Sequence, residues 1–519
     1  MSGPTFRERI LAPGADITVV ELVPWHGSAL EADGRVALDL AASMAAHPAV
    51  DAVSVTDNAG GHAMAGPEIL AREAAANGAQ AIVHVACRDR NRNDLLSLGW
   101  RLLSEDIDTI LCLSGDYPVE DVAGVARPVF DMDSVALLEL YRRAGVLPSE
   151  DGSGGLFPGV AVNNYKRLEA EVMPQLFKLE LKVRTGARYV IGQVGWDARK
   201  QDELLRYMRL RELQVPVLNN VFRLTRGIAR AFHAGRIPGV TVSDELFEQT
   251  EEAGGSPDKG RAFFRELAAR QIAIGRGLGH AGTYLGGVHK VEEMDAILEL
   301  AASYGPDDWK DFARDFQYPL PGTFYYFEQD PDTCLNSDTV DRIYRRSSTA
   351  AARRWARRRV DPTYLVNRFI HDVAFEPGTP GFRLFGAAYG RVEQVGLARP
   401  LHIAEQAIKI PLFDCRDCGD CSLPETAYLC PESQCAKNQR NGPCGGTRDG
   451  ECEVPGRRCI WVRAYGRLKP FGEERTTLER PVVITDHALR RTSAWANTYL
   501  GRDHAGRART AGDDHAPKS

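Results

Sequence analysis

The sequence predicts an α/β chain: a (β/α)8 barrel of the TIM type, followed by a small cysteine-rich metal-binding domain. Three observations lead there. Between Asp16 and Tyr304, short β-branched runs alternate with amphipathic stretches. That alternation implies parallel strands joined by right-handed crossovers. Eight such units fit within this span, which suits one closed barrel. Lastly, eight of the eleven cysteines lie between Cys415 and Cys459.

The strand candidates are Ile17–Leu22, Ala52–Thr56, Ala81–Val85, Thr109–Leu113, Val160–Asn163, Tyr189–Val194, Pro216–Val221 and a Gly-rich Gly282–Val288. Each is a short apolar run bounded by turn residues. Helical periodicity covers Arg35–Ala46, Pro67–Asn77, Arg92–Ser104, Ser134–Ala144, Lys166–Thr185, Arg199–Gln214, Leu224–Ala234, Lys259–Leu278 and Val291–Ser303. A doubly wound open sheet is the alternative that periodicity alone leaves standing. Neither a G-x-G-x-x-G after the first strand nor a P-loop is present, so a nucleotide-like cofactor is held some other way.

A chain of 519 residues with 44% hydrophobic and 26% charged residues has ordinary globular composition and implies two or three domains. Its net charge of −6 gives no sign of a nucleic-acid or anionic-membrane partner. No apolar run is long enough to span a bilayer. Met1–Arg9 shows no secretory signal, so a cytoplasmic location is the default. We divide the chain into a barrel over 1–305, a helical and aromatic connecting region over 306–404, a cysteine-rich domain over 405–500, and a disordered tail over 501–519. Within the connecting region, Arg342–Arg359 carries too many charges for a helix buried all round. It reads as a solvated face, with docking of an acidic partner as the second reading.

Polar residues recur where the predicted strands end. Glu21 closes the first, Thr56 and Asp57 the second, and His84 sits in the third. Gly115 and Asp116 end the fourth, Asn163 and Asn164 the fifth, Gln193 the sixth, and Asn219 and Asn220 lie in the seventh; Asp197 follows the sixth. In a parallel barrel these ends converge on one mouth. Asp116 alone is better explained as a turn cap, but one polar residue per strand is harder to dismiss, because isolated buried polar groups are costly. Two carboxylates there, Glu21 and Asp116, are suited to divide acid and electrostatic roles.

The cysteines read Cys415-x2-Cys418-x2-Cys421-x8-Cys430-Pro431, then Cys435, Cys444, Cys452 and Cys459. In a long chain without an export signal, such clustering favours metal over disulfides. The x2-x2 spacing followed by Cys-Pro resembles ferredoxin-type [4Fe-4S] ligation, with zinc as the alternative. Eight thiolates suffice for two four-iron clusters, one cluster plus zinc, or two zincs.

Together Val83–Arg92 (VHVACRDRNR), Leu113–Pro118 (LSGDYP), Lys182–Ala187 (KVRTGA), Val190–Gln193 (VIGQ), Phe413–Cys421 and Asn441–Gly446 resemble the methylenetetrahydrofolate reductase family, fused to its cysteine-rich C-terminal domain. The resemblance implies a non-covalent FAD, or FMN, at the barrel mouth, contacted by Thr56, His84, Gly115, Asp116 and Lys182. It implies Glu21 as general acid, Asp116 as the carboxylate facing flavin and folate cation, and Gln193 as a contact to pterin or nicotinamide. The activity it implies is reduction of 5,10-methylenetetrahydrofolate to 5-methyltetrahydrofolate, or the reverse, in one-carbon metabolism. Electrons come from NAD(P)H or from a ferredoxin-like iron–sulfur route, and the assembly is a homo-oligomer or an electron-transfer complex. The alternatives are a methyltetrahydrofolate-oxidising partner of a methyltransferase and a non-catalytic electron-transfer subunit. The first strand departs from the family's Phe-Glu-Phe-x-Pro-Pro by reading Val-Glu-Leu-Val-Pro. The helix before Lys182 lacks the usual Tyr-Pro-Glu-x-His-Pro run.

Overall fold

The computed structural model describes residues 4–510 apart from 123, 150, 151 and 153. Among them, eight parallel strands close a barrel in which sequence order is spatial order. These are β1 (Ile17–Leu22), β2 (Ala52–Val55), β3 (Gln80–Ala86), β4 (Thr109–Leu113), β5 (Phe157–Val162), β6 (Tyr189–Gly192), β7 (Val217–Phe222) and β8 (Gly282–Gly286). The last pairs with the first, Ile17 opposite Gly282. Closure excludes the open sheet.

Register decides which side chains enter the barrel. Ile17, Val19, Ala52, Ile82, Leu111, Phe157, Tyr189 and Leu218 share one buried interior cluster. Side chains alternate along a strand, so Glu21, Ser54, His84, Gln193, Asn220 and Tyr284 also point inward. Their neighbours Asp57, Asn164 and Asn219 do not. Phe6 and Ile10 of a short helix, Phe6–Ile10, join the same apolar cluster. β5 begins three residues before the expected Val160, because the Phe157 ring belongs to that floor despite the donor lost at Pro158. A Cβ on Gly159 would lie 2.1 Å from the Tyr189 ring, so glycine is what admits that ring.

The chain forms two compact units, and their boundary differs from the one composition suggested. The first runs to Arg342 and includes Gly445–Asp449; the second begins at Ile343. Residues 306–342 therefore belong with the barrel. The reason is polar: Lys200 Nζ donates to the Phe324 carbonyl at 2.6 Å, and the Tyr326 amide donates to Glu203 at 2.6 Å. Tyr325 OH donates to Asp197 at 2.5 Å, and Asn336 N to Asp202 at 2.9 Å. These carboxylates lie on or cap the helix Ala198–Leu210, and burying them unpaired would be costly.

In the second unit the arginine-dense segment is not one helix. It breaks into Arg342–Ser347 and Ala350–Arg357, the latter capped by Thr349. Arg353 reaches Glu474 at 3.3 Å and Arg357 the Pro470 carbonyl at 2.9 Å, so part of this charge is spent on internal packing. The expected disordered tail is corrected over its first part. His504–Thr510 is a helix with His504, Gly506 and Ala508 buried, fixed by an ion pair of His504 Nδ1 with Asp420 at 2.6 Å. Local composition could not disclose a partner more than eighty positions away. Residues 511–519 lie outside the described residues.

Candidate functional site

The inward-facing polar residues of β1, β2, β3 and β8 meet in one hydrogen-bonded group. Tyr284 OH donates to Glu21 Oε2 at 2.9 Å. The same hydroxyl lies 3.2 Å from Ser54 Oγ and 3.2 Å from His84 Nε2. Ser54 Oγ and His84 Nε2 are 2.9 Å apart. Burial pushes the Glu21 carboxyl up, and the Tyr284 bond only partly offsets this. Burial likewise pushes His84 down to about 3, so its ring stays neutral. The result is a carboxyl favoured in its protonated form beside an uncharged imidazole.

Glu21, Leu22, Phe222, Gly287, Val288 and His289 line one cavity at this end of the barrel. Gly286 matters there: a Cβ on it would stand 3.1 Å from Glu21 Oε1 and 3.0 Å from the Phe222 ring. Thr56 is buried, and its Oγ1 has no partner. Asn220 donates to the Gly192 carbonyl at 3.0 Å, while its Oδ1 is buried without a partner. Two polar atoms on the ring of strand ends are thus left for something the protein itself does not supply.

Asp116 follows β4 and accepts a bond from the Gly60 amide at 3.0 Å. It ties its own loop to the turn after β2. Gly115 has φ +86, and a Cβ there would meet Arg88 Cβ at 2.9 Å, so glycine lets the β4 loop lie against the end of β3. Gln193 receives the Val194 amide on its own Oε1 at 2.9 Å. Lys182 lies elsewhere, on the helix Glu169–Thr185, with Nζ donating to the Ala161 carbonyl at 2.6 Å. Burial, then the neighbouring Lys178 charge, pulls it down to about 7.

Several strand-end candidates are structural. Asp197 caps the helix Ala198–Leu210. Asn219 bonds Gln271 and Gln201 behind the sheet, and Asn164 bonds the Lys200 carbonyl. Asp57 accepts from the Ala86 amide at 3.0 Å and from Arg90 at 2.5 Å. Asn163 does reach the mouth side, but it holds protein: Nδ2 donates to the Gly239 and Gly445 carbonyls at 2.8 and 3.1 Å. Lys166 Nζ adds bonds to the carbonyls of Gly445, at 2.6 Å, and Thr447.

Ser54 and Tyr284 escaped the sequence reading. Period-two counting would have found both, since Ser54 stands two residues before Thr56 and Tyr284 two before Gly286.

None of the eleven cysteines is in a disulfide, and eight of them lie in the second unit. The eight clustered thiols fall into two sets of four. Cys415, Cys418, Cys421 and Cys430 line one cavity with Lys409, Phe413 and Arg440. Cys435, Cys444, Cys452 and Cys459 are electrostatic neighbours of one another. Burial pushes Cys421, Cys435 and Cys459 up to about 12. Lys409 Nζ stands 3.6 Å from Cys421 Sγ. Among the described residues, no three Cys, His or carboxylate groups already converge on one ion position. The donor chemistry, four thiols per set, is nonetheless that of a thiophilic metal. No helix among the described residues is long and apolar enough to cross a membrane.

Residues 33–280 match the family model described as methylenetetrahydrofolate reductase. Residues 395–488 match the one described as methylene-tetrahydrofolate reductase C terminal. No curated protein matches the chain. Solved structures that resemble it include an uncharacterized protein from Clostridium thermocellum that binds two copies of 5-methyl-5,6,7,8-tetrahydrofolic acid, at 12% identity over 57% of this chain and 96% of that one, with a TM-score of 0.42. Another is an aldo-keto reductase from Klebsiella pneumoniae in complex with NADPH, at 14% identity over 59% and 93%, with a TM-score of 0.35.

Proposed function

Because the chain belongs to the methylenetetrahydrofolate reductase family, an oxidoreductase family generally dependent on flavin, we propose that its barrel interconverts 5,10-methylenetetrahydrofolate and 5-methyltetrahydrofolate, with Glu21 as the proton donor. The observation that carries this is the Glu21 carboxyl, half-buried at the barrel mouth beside a cavity, with Oε2 bonded to Tyr284 and Oε1 facing the side-chain-free Gly286.

Opening the five-membered ring leaves an iminium cation and a departing nitrogen that needs a proton. Glu21, whose carboxyl burial pushes up, is the group placed to give that proton. Asp116 is the fixed carboxylate suited to meet the cation, because its Oδ2 is already anchored by the Gly60 amide. Gln193 is the amide for the pterin or an incoming nicotinamide. Thr56 Oγ1, buried without a partner, and His84 and Gly115 at the neighbouring strand ends fit a flavin, FAD foremost. When bound, that flavin supplies the hydride. A role for Lys182 requires it to exchange its present bond to Ala161.

The cysteine sets would hold metal, the first through Cys415, Cys418, Cys421 and Cys430, the second through Cys435, Cys444, Cys452 and Cys459. An iron–sulfur cluster in the first set suits its x2-x2 spacing, and zinc is the alternative for either. The electron donor is then NAD(P)H or a ferredoxin-like protein.

The test is turnover of methyltetrahydrofolate with an artificial acceptor by anaerobically purified protein. Glu21→Gln should lower kcat about 10²- to 10⁴-fold with the flavin spectrum retained. Full activity in that variant, or a colourless protein that binds no folate, overturns the reading.

A further inference from the structure

We propose that Tyr284, seated on Ser54 and His84, is the positioning residue for Glu21: it occupies Oε2, so the transferable proton stands on Oε1, the oxygen that borders the open cavity. This rests on the reading of Glu21 as proton donor.

The geometry is specific. Tyr284 rises from β8, Ser54 from β2 and His84 from β3, and all three hydroxyl or ring atoms lie within 3.2 Å of one another. A phenol has one proton to give. Here it goes to Glu21 Oε2 at 2.9 Å, while the phenol oxygen also rests 3.2 Å from Ser54 Oγ and 3.2 Å from His84 Nε2. On the other side, Oε1 lies where a side chain at position 286 would lie, 3.1 Å from the missing Cβ. One oxygen of the carboxyl is therefore engaged and the other is left toward the cavity.

The cradle also has the right charge. An imidazolium beside Glu21 would favour its carboxylate and strip it of its proton. Burial keeps His84 neutral, so the cradle aims the acid without ionising it. His289 lines the same cavity, and Tyr189 lies in the same floor cluster as Tyr284. When the C–N bond of the substrate opens, its electron pair stays on nitrogen, which takes the Oε1 proton. Glu21 is left as a carboxylate, and the Tyr284 bond to Oε2 becomes charge-assisted at that moment. The bond thus stabilises the later state more than the earlier one, which is what catalysis requires.

The test is the pH profile of 5,10-methylenetetrahydrofolate reduction by a reduced artificial donor in Tyr284→Phe, the direction in which Glu21 gives up its proton, with the Glu21 carboxyl followed separately by infrared difference spectroscopy. Removing the donor should raise the Glu21 pKa. The limb on which activity falls as Glu21 ionises then moves up by about one pH unit, while the plateau drops about ten- to a hundredfold. A merely structural tyrosine would lower the plateau and leave the limb in place, and an unmoved limb and carboxyl signal overturn the proposal. If Tyr284→Phe fails to fold, Ser54→Ala carries the test: a weakened phenol donor gives a smaller shift in the same direction, and no shift overturns the proposal. Glu21→Gln separates the two failures. Activity retained there overturns the proton-donor reading itself; activity lost there with an unmoved limb in Tyr284→Phe overturns only the role of the cradle.

Discussion

The barrel mouth and the cysteine unit solve the problem of holding reactive groups in opposite ways. At the mouth, Glu21, Ser54, His84 and Tyr284 are already bonded to one another at 2.9–3.2 Å. Their positions follow from strand register, and a ligand finds them made. In the cysteine unit the thiols are grouped, but their contacts are weak: the Asp417 and Gln439 amides point at Cys415 and Cys435 sulfurs from 3.4 Å. Burial holds these thiols protonated, so binding a metal must release protons. The lesson is that one site is preorganised by the fold, whereas the other leaves its last step to what binds it.

The sharpest way to break that contrast is to remove thiols one set at a time. Cys418→Ser and Cys435→Ser should each lower bound metal by about half, and the double variant should abolish it. Structural metal sites of this kind contribute on the order of 10 kcal/mol to folding. Hydrogen exchange in the second unit should therefore rise steeply, while β1–β8 stay protected. A single substitution that empties both sets, as measured by metal analysis, breaks the partition into two fours.

A smaller effect is expected at a buried charge pair of the second unit. His504 pairs with Asp420 at 2.6 Å and lies 3.6 Å from Glu425. Although burial opposes its charge, these carboxylates raise His504 to about 10, and His504 in turn, against the effect of burial, lowers Glu425 to about 2. His504→Ala leaves Asp420 paired with Arg507 and Glu425 with Arg480, and the lost charge-assisted bonds should cost about 1–3 kcal/mol in denaturant unfolding. The sign in pH follows from the raised value: the His504 contribution is full below its ordinary 6.5 and fades as pH climbs through about 10. A penalty that grows toward alkaline pH contradicts this.

The mildest prediction concerns the barrel's own frame. Lys182 is pulled from 10.5 down to about 7, so between those values the unfolded chain binds the extra proton. Barrel stability should therefore rise with pH across that window. Lys182→Met should flatten the rise, read by thermal melting at pH 7, 8 and 9. A slope unchanged in the variant puts the charge elsewhere.

How much was legible in the residues differs between the two regions. Glu21, His84 and Gln193 were found by looking for a polar residue late in each strand, and register turned all three inward. The same search also returned Asn164, Asn219 and Asp197, which face the helices or cap one. A strand end gives a position but not a parity, and only the closed sheet fixes parity. Ser54 and Tyr284 were missed because each sits one inward step below the rim, inside runs that read as apolar strand. The cysteine spacing led to an expectation of metal, yet nothing in it divided eight thiols into two fours, because that depends on how the chain folds back between Cys430 and Cys435.

Taken by itself, the sequence determined the alternating strands and helices, through local periodicity, and it gathered eight thiols in one stretch, through residue type. Both are short-range properties. The tertiary structure alone decided the contacts that span long separations. It assigned residues 306–342 to the barrel through Lys200, Glu203 and Asp202. It held the Gly445–Thr447 carbonyls on Asn163 and Lys166, and it pinned the His504 helix on Asp420. In each case a buried charge or amide needed a partner, and the chain offered no local one.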